Sequence, residues 1–264
     1  MKWLVFSRNR PFQLDSFLRS AKENARIDKR DISILHLYDS EYSESLRILK
    51  SEHPECEFID ETSFREQTLA WVENASSDFL SFATDDAVFT RETRVGTAKE
   101  ILSQNPAVLT VSLRLGLHLD WCYPMNCQQA VPNGQIFSEV FAWDTRSAEG
   151  DWGYPLSVDG HVYRKQEILE MLKRVPFSNP NTLEANLQSM KPFVQNVSCC
   201  FLKSSYFNSP LNVVQSVCRN RAGQVTVEEL DAAYKSGRRF DPSLLKGFNN
   251  SAAHQEVNLL EFCR

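Results

Sequence analysis

The chain has 264 residues, of which 42% are hydrophobic and 11% aromatic, and its formal net charge is −5. This composition is that of an ordered globular protein with a substantial core, and it excludes a largely disordered chain. The acidic balance argues against nucleic acid as the main partner, because binding nucleic acid normally requires a basic surface.

The apolar run at the N-terminus is too short for a signal peptide, because Ser7 and the polar residues after it interrupt the run. No stretch reaches the ~20 apolar residues that a membrane helix needs. We therefore expect a cytoplasmic protein with at most peripheral membrane contact. The 7 cysteines show no paired spacing of the kind that binds zinc, and we expect most of them to be reduced and buried.

Predicted strands and helices alternate through the first part of the chain. Strands are predicted at 3–6, 32–38, 57–59, 78–83 and 108–113, and helices at 11–21, 42–51, 64–74 and 91–104. This alternation is typical of a mostly parallel sheet with helices on both faces, which is the α/β class. Ligands bind to such sheets beyond the carboxyl ends of the strands. Residues 7–10, Asp39 and 85–86 should therefore share one crevice.

The pattern changes after Gly116. Residues 117–160 are rich in Trp, Tyr, Pro and Gly, with strand character only at 140–143. Further on, the patterns predict helices at 165–174, 181–190 and 225–235 and a strand at 197–202. The second of these helices is predicted to begin with a capping box in which Glu184 is the acidic member. We interpret residues 117–160 as a loop-rich part suited to a variable binding surface.

Asp85 and Asp86 directly follow the fourth predicted strand. Two adjacent carboxylates repel each other, and aspartate is a poor strand residue, so the pair makes sense when a positive group lies beside it. A divalent cation that carries a diphosphate is such a group. Asp86 is then the candidate metal ligand, and Asp85 would hold a ribose or a metal-bound water. The alternative is an ordinary capped turn.

Two arginines follow the first predicted strand. Guanidinium groups bind phosphate with bidentate geometry, so Arg8 and Arg10 are candidate phosphate ligands. Ser7, in the same loop, is a further candidate for binding the nucleotide. The alternative is that either arginine is simply solvated.

The order of these features resembles the nucleotide-binding half of GT-A glycosyltransferases, particularly the inverting family-2 type. The matching features are the loop S-R-N-R-P after strand one, an Asp after strand two and T-D-D after strand four. The match covers about residues 3–115, and Thr84 stands where many members carry another Asp. The resemblance implies a GT-A (Rossmann-like) fold. Residues 1–115 would then form the nucleotide-sugar-binding half and 116–264 the acceptor-binding half of one domain.

The resemblance also implies an activity. The protein would be a glycosyltransferase dependent on Mn²⁺ or Mg²⁺, with a nucleotide-diphosphate sugar as donor and a saccharide or glycolipid as acceptor, in glycan or polysaccharide biosynthesis. Asp39 would contact the nucleobase, and the late histidine His254 would complete the metal shell. Inverting transfer requires a general base, for which Glu184 and Asp159 compete, with a slight preference for Glu184.

Aromatic residues in the second half are candidates for stacking on an acceptor sugar. We expect the segment 151–155, which contains Trp152 and Tyr154, to contribute most because it is the most loop-like. Core packing is the alternative for each ring.

Two other functions compete with sugar transfer. A nucleotidyltransferase that makes nucleotide sugars is one, but its phosphate loop usually contains glycine and residues 7–11 contain none. A sugar-nucleotide-binding module without catalytic activity is the other.

Overall fold

The computed structural model describes residues 1–214 and 221–264. The described strands are, in chain order, β1 (Lys2–Arg8), β2 (Ile32–Leu37), β3 (Glu57–Asp60), β4 (Phe79–Thr84), β5 (Ala87–Phe89), β6 (Val108–Ser112), β7 (Trp121–Cys122), β8 (Cys127–Gln128), β9 (Gly134–Phe137), β10 (Val140–Asp144), β11 (His161–Arg164), β12 (Val197–Phe201) and β13 (Tyr206–Asn208). The described α-helices are α1 (Pro11–Glu23), α2 (Ser43–Glu52), α3 (Phe64–Asn74), α4 (Val95–Gln104), α5 (Lys165–Arg174), α6 (Pro180–Gln188) and α7 (Val227–Lys235).

One mixed sheet runs through the described part of the chain, with the strand order β3-β2-β1-β4-β11-β6-β12-β10-β9. The first four strands in this order are mutually parallel. β6 and β12 are also parallel, whereas β11, β10 and β9 run antiparallel to their neighbours. The predicted α/β class is therefore confirmed.

Alternation along β1 explains why helices cover both faces of the sheet. Trp3 and Val5 belong to the core cluster that contains α1, while Leu4 and Phe6 belong to the cluster that contains α5. On the second face the Phe6 ring lies 5.0 Å from the ring of Phe64, the first residue of α3. Successive side chains of a strand point to opposite faces, so an unbroken apolar run is buried on both sides.

Three strands near the site are absent from the sequence prediction. β11 lies antiparallel between β4 and β6, in a segment for which the sequence patterns predict no strand. β5 and β13 pair with each other in a separate two-stranded sheet. Each of the three has only three or four residues, so none displays enough of a period to be recognised.

All six described cysteines are free thiols; Cys56, Cys122, Cys199 and Cys200 are buried, Cys127 is exposed and Cys263 is half-buried. Cys218 lies outside the described residues. Among the helices that are described, none has both the length and the apolarity that crossing a bilayer requires.

Gly160, directly before β11, does not accommodate a side chain. Its φ is +61°, and a Cβ there would lie 2.9 Å from the ring of Tyr206. Gly160→Ala should therefore lower the free energy of unfolding by ~2 kcal/mol, because it adds backbone strain and a steric clash. Urea denaturation measures this difference.

Gly96→Ala is the matched control, because Gly96 lies in α4 and the methyl group added there would meet nothing within 4 Å. It should be neutral or stabilising by up to ~1 kcal/mol, since both substitutions restrict the unfolded chain alike. Equal unfolding free energies for the two variants would contradict the backbone strain and steric clash that we expect at Gly160.

Candidate functional site

The site lies where β1 and β4 end side by side. The two strands are parallel, so the loop after Arg8 and the turn after Thr84 emerge at the same edge of the sheet. The N-terminal end of β11 and the end of β13 meet them there, since Gly160 N donates to Phe82 O and Ser209 N donates to Asp86 O. Residues 7–10 therefore meet residues 85–86 as predicted, while the crevice that they would share with Asp39 stays a prediction.

Asp85 is buried, with 2% of its surface exposed. Its Oδ2 accepts hydrogen bonds from Ser7 Oγ (2.9 Å) and Arg8 N (3.2 Å), and its Oδ1 accepts one from Arg10 Nη1 (3.0 Å). Burial, with a further contribution from Asp86, raises the pKa of Asp85 to about 6, and Arg10 opposes this rise. Asp85 thus anchors the loop after β1, and the Ser7 hydroxyl also lies 3.0 Å from the Tyr38 hydroxyl.

Arg10 is the positive group beside the two aspartates. Its Nη1 contacts Asp85 Oδ1 and lies 3.5 Å from Asp86 Oδ2. Its Nε donates to Asn212 Oδ1 (2.8 Å), and its Nη2 donates to the Asn212 carbonyl. The side chain is buried, and protein acceptors already use its donors. Its predicted phosphate contact stays a prediction.

Asp86 is the more accessible aspartate, with 14% of its side chain exposed. Its Oδ1 accepts a hydrogen bond from Asn208 Nδ2 (3.1 Å) and lies 2.8 Å from the hydroxyl oxygen of Thr84. Asn208 Oδ1 and His254 Nδ1 are buried and have no hydrogen-bond partner among the described residues. Asn208 and His254 are paired through an isolated parallel bridge. A carboxylate, an amide oxygen and an imidazole suit a hard or borderline divalent cation.

Thr84 connects Asp86 to Asp159. The Thr84 amide donates to Asp159 Oδ1 (3.0 Å), and the Thr84 hydroxyl lies 2.7 Å from the same oxygen. The hydroxyl has one proton but faces two carboxylate oxygens, so it can donate to only one of them at a time. The residue that stands in place of a third aspartate therefore links the two acidic groups.

Glu184 lies at the other end of this path. Its Oε1 accepts hydrogen bonds from Ser157 Oγ (2.6 Å) and Val158 N (3.0 Å), while Ser157 Oγ accepts one from the Asp159 amide (3.1 Å). Burial and the nearby Asp159 raise the pKa of Glu184, and Arg114 opposes the rise. The two carboxylates predicted as alternative bases thus lie together.

The start of α6 differs from the prediction. Asn179 is the N-cap, Pro180 is the first helical residue, and Asn179 and Thr182 form the reciprocal capping box. The assignment of Glu184 to a capping box was therefore wrong. Glu184 lies further into the helix, which leaves its carboxylate available to Ser157 and Val158.

Arg8 and Asp39 are both exposed at the strand ends. Among the residues that the structure describes, the Arg8 guanidinium makes no hydrogen bond or ion pair. Asp39 is held by Asn9, whose Nδ2 donates to Asp39 Oδ2 (2.6 Å) and whose Oδ1 accepts from the Asp39 amide (2.8 Å). Asn9 has φ +52°, a conformation that Asn adopts more readily than most residues.

Sequence reasoning missed Asn9, Asn208 and Arg114. Asn adopts the left-handed backbone conformation more readily than most residues, and this was a weak sequence signal for Asn9. Asn208 reaches the site because β13 pairs with β5, and Arg114 lies there because it follows the end of β6. No local sequence pattern indicates either residue.

Two aromatic candidates for acceptor binding belong to the core instead. Trp152 is fully buried and Trp143 nearly so, and their rings pack edge to face at 5.0 Å. The prediction that Trp152 stacks on a sugar is therefore wrong. Tyr123 is buried as well, because its ring stacks on the His254 ring at 6.4 Å and the Arg221 guanidinium lies 4.6 Å from its centre.

A separate cluster of Asp15, Glu52 and His53 brings ligand-type atoms within 4.8 Å of one another. Cationic side chains of the protein already contact it. His53 Nδ1 lies 2.6 Å from Lys29 Nζ, and Arg19 pairs with both Asp15 and Glu52. We interpret this cluster as an internal charge network.

No protein-family description and no curated protein matches the sequence. Solved structures with a similar backbone include residues 1–349 of TarS from S. aureus in complex with UDP-GlcNAc (TM-score 0.50, 11% identity, 93% of this chain and 69% of that chain). A mannosyltransferase from Pyrobaculum calidifontis in complex with GDP-Man and Mn²⁺ gives a TM-score of 0.41 at 12% identity over 75% and 56% of the two chains. A cytidylyltransferase from Leptospira borgpetersenii gives 0.47 at 8% identity over 92% and 91%. At these identities the likeness concerns the fold alone.

The raised pKa of Asp85 predicts a pH dependence of stability. Between pH 6 and 4 the folded state binds a proton that the unfolded state, with a pKa of 3.8, does not yet bind. Wild type should therefore gain stability relative to Asp85→Asn as the pH falls through this window, and lose it again as the pH rises. The change should be ~2–3 kcal/mol at ~1.4 kcal/mol per pKa unit. Urea denaturation at a series of pH values measures it, and a difference that stays constant from pH 4 to 6 would contradict the burial-driven shift.

Proposed function

We propose that this chain, which has the GT-A fold, is a metal-dependent glycosyltransferase. It would move a sugar from a nucleotide-diphosphate sugar to an acceptor hydroxyl. The observation that carries the proposal is the hydrogen-bonded path from Asp86 through Thr84, Asp159 and Ser157 to Glu184. At one end of the path, Asp86 suits the cation of a diphosphate. At the other end, Glu184 suits removal of a proton from the acceptor hydroxyl.

The donor side is formed by the ends of β1 and β2. Arg8 is exposed and offers a guanidinium to phosphate oxygens, while Asp39, held in place by Asn9, offers a carboxylate to a nucleobase or ribose. Asp85 fixes the loop that carries Arg8 through hydrogen bonds from Ser7 and from the Arg8 amide. The loop is therefore set before the donor arrives, which reduces the entropic cost of binding.

The residues around Asp86 fit a divalent cation. Asp86, Asn208 through Oδ1 and His254 through Nδ1 would hold Mn²⁺ or Mg²⁺; neither of the last two atoms has a partner in residues 1–214 and 221–264. When bound, such a cation neutralises the charge that develops on the departing diphosphate.

Glu184 is our choice for the general base. Ser157 and Val158 orient its Oε1, and among the described residues its Oε2 has no hydrogen-bond partner. The acceptor hydroxyl would give its proton to Glu184 while its oxygen bonds to the anomeric carbon. The bond between that carbon and the diphosphate oxygen breaks, and its electron pair leaves with the nucleoside diphosphate. This single displacement inverts the anomeric centre. Asp159 holds Thr84 in place and is the alternative base.

The acceptor would be a saccharide or a glycolipid, which places the reaction in glycan or polysaccharide synthesis.

Release of nucleoside diphosphate from UDP-, GDP-, CDP- and dTDP-sugars in the presence of Mn²⁺ tests the proposal. Wild type should release it from at least one donor. Asp86→Asn should reduce the rate by about 100-fold or more, because charge stabilisation of the leaving group is lost. The far-UV spectrum and the unfolding midpoint of this variant should show that it folds.

Asp78→Asn is the matched control, because Asp78 is exposed just before the start of β4, the same strand whose other end leads to Asp86. It should keep wild-type turnover. Full activity in Asp86→Asn would refute the cation role of Asp86. Release of pyrophosphate from a nucleoside triphosphate, with no turnover of nucleotide sugars, would indicate a nucleotidyltransferase instead.

A further inference from the structure

Cys122 and Cys127 lie directly opposite each other in the short two-stranded ribbon that β7 and β8 form. The strands are antiparallel, and their register pairs Trp121 with Gln128 and Cys122 with Cys127. Opposite residues of an antiparallel pair have Cα atoms about 4.5–5.5 Å apart and side chains on the same face. A disulfide requires Cα atoms about 4.4–6.8 Å apart, so this register allows a bond between the two thiols.

The two thiols differ in their access to solvent. Cys127 is exposed, whereas only 2% of the surface of Cys122 is exposed. A Cβ added to Gly150 would lie 3.5 Å from Cys122 Sγ, so the chain at Gly150 packs against this thiol. An oxidant in solution therefore reaches Cys127 first. An accessible thiol that reacts first, beside a second thiol that resolves the product, is the arrangement of redox-sensitive cysteine pairs.

The other described cysteines are not opposed in this way. Cys199 and Cys200 are consecutive residues of β12, and they belong to core clusters on opposite faces of the sheet. Cys56 is buried in the first of these clusters, and Cys263 packs against it. In residues 1–214 and 221–264, Cys122 and Cys127 are thus the one cysteine pair that a strand register holds face to face.

The ribbon packs against the segment that contains His254. The ring of Tyr123 stacks on the ring of His254, and the Tyr123 hydroxyl donates a hydrogen bond to Glu256. Trp121 forms a parallel bridge with Ala252 at the other end of that segment. The ribbon has only two residue pairs, and so short a hairpin is at best marginally stable alone. A covalent bond across one of these pairs would therefore restrict the ribbon and the segment packed on it.

We propose that Cys122 and Cys127 form a reversible disulfide, and that this bond rigidifies the segment that contains His254. The Cys127 thiolate attacks one sulfur of a small disulfide such as oxidised glutathione, and one glutathione leaves as a thiolate. Cys122 then gives its proton to water, and its sulfur attacks Cys127 Sγ and expels the second glutathione. Two protein thiols are oxidised while one small disulfide is reduced to two thiols. The proposal does not require sugar transfer.

The sequence provides a direct test of the bond. Met125 lies between the two cysteines, so cyanogen bromide cuts between them and releases fragments 2–125 and 126–171, the second of which contains Cys127 alone. After the folded full-length protein is equilibrated with oxidised glutathione and its remaining thiols are alkylated, these two fragments should stay linked. Excess dithiothreitol before alkylation should separate them.

Three cysteine variants locate the bond. Cys127→Ser and Cys122→Ser should each abolish the link between the fragments, and Cys122→Ser should instead retain one glutathione on Cys127. Cys263→Ser is the matched control, because Cys263 is also not fully buried, and it should keep the link. The proposal would be overturned by a link that persists in Cys122→Ser, by linkage of fragment 126–171 to fragment 191–264, or by separate fragments at every proportion of oxidised glutathione.

Amide hydrogen exchange, measured by mass spectrometry, tests the effect of the bond on the neighbouring segment. Exchange at 121–128 should be ~10-fold slower or more in the oxidised protein than in the reduced protein, because the cross-link restricts the open state. Exchange at 252–256 should also be slower. Cys127→Ser treated with the same oxidant should show neither change. Unchanged exchange at 252–256 in protein that contains the disulfide would overturn the effect on the His254 segment.

Discussion

The ion pair between Arg10 and the two aspartates organises the edge of the sheet where the site lies. Asp85 is buried beside Asp86, and two carboxylates so placed repel each other. Arg10 lies against both, and its remaining donors reach Asn212, which is 202 residues away in sequence. Removing one partner of such a buried pair leaves an uncompensated charge, at a cost of ~3–5 kcal/mol. The loop after β1, the turn after β4 and the segment around Asn212 therefore depend on one another.

Asp85 and Asp86 have different roles in this arrangement. Asp85 has both oxygens occupied by donors of the protein, so its role within the fold is to hold the loop that carries Arg8. Asp86 keeps a partly accessible carboxylate that accepts a hydrogen bond from Asn208, whose Oδ1 has no partner in the described part of the chain. Arg10 thus supplies part of the positive charge that was predicted beside the two aspartates. The proposed cation would bind Asp86 and not Asp85.

The hydrogen-bonded path from Asp86 to Glu184 joins the proposed donor and acceptor sides. Because Thr84 has one hydroxyl proton for two carboxylate oxygens, a change of charge at Asp86 alters which of them it can serve. Asp85, Asp86, Asp159 and Glu184 lie in one region with the buried Arg10 and Arg114. Such a cluster of ionisable groups is typical of functional sites rather than of sites that stabilise the fold.

The α/β class and the meeting of residues 7–10 with 85–86 could be predicted because long apolar runs alternate with helical periods through residue 115. The helices α3 and α5 match their predicted bounds for the same reason. β11, with four residues, and the pairing of β13 with β5 could not be predicted, because short strands lack a period and their partners lie far away in sequence. Asn208, Arg114 and the burial of Trp152 follow from long-range packing, so no local pattern indicates them.

We propose that the edge of the sheet beside Asp86 binds a nucleoside diphosphate together with a divalent cation. Isothermal titration calorimetry with UDP, GDP, CDP and dTDP, each with and without Mn²⁺, measures this directly. We expect at least one of them to bind with an affinity that Mn²⁺ increases at least ~10-fold in wild type and does not increase in Asp86→Asn. Failure of all four to bind, with or without Mn²⁺, would contradict the account.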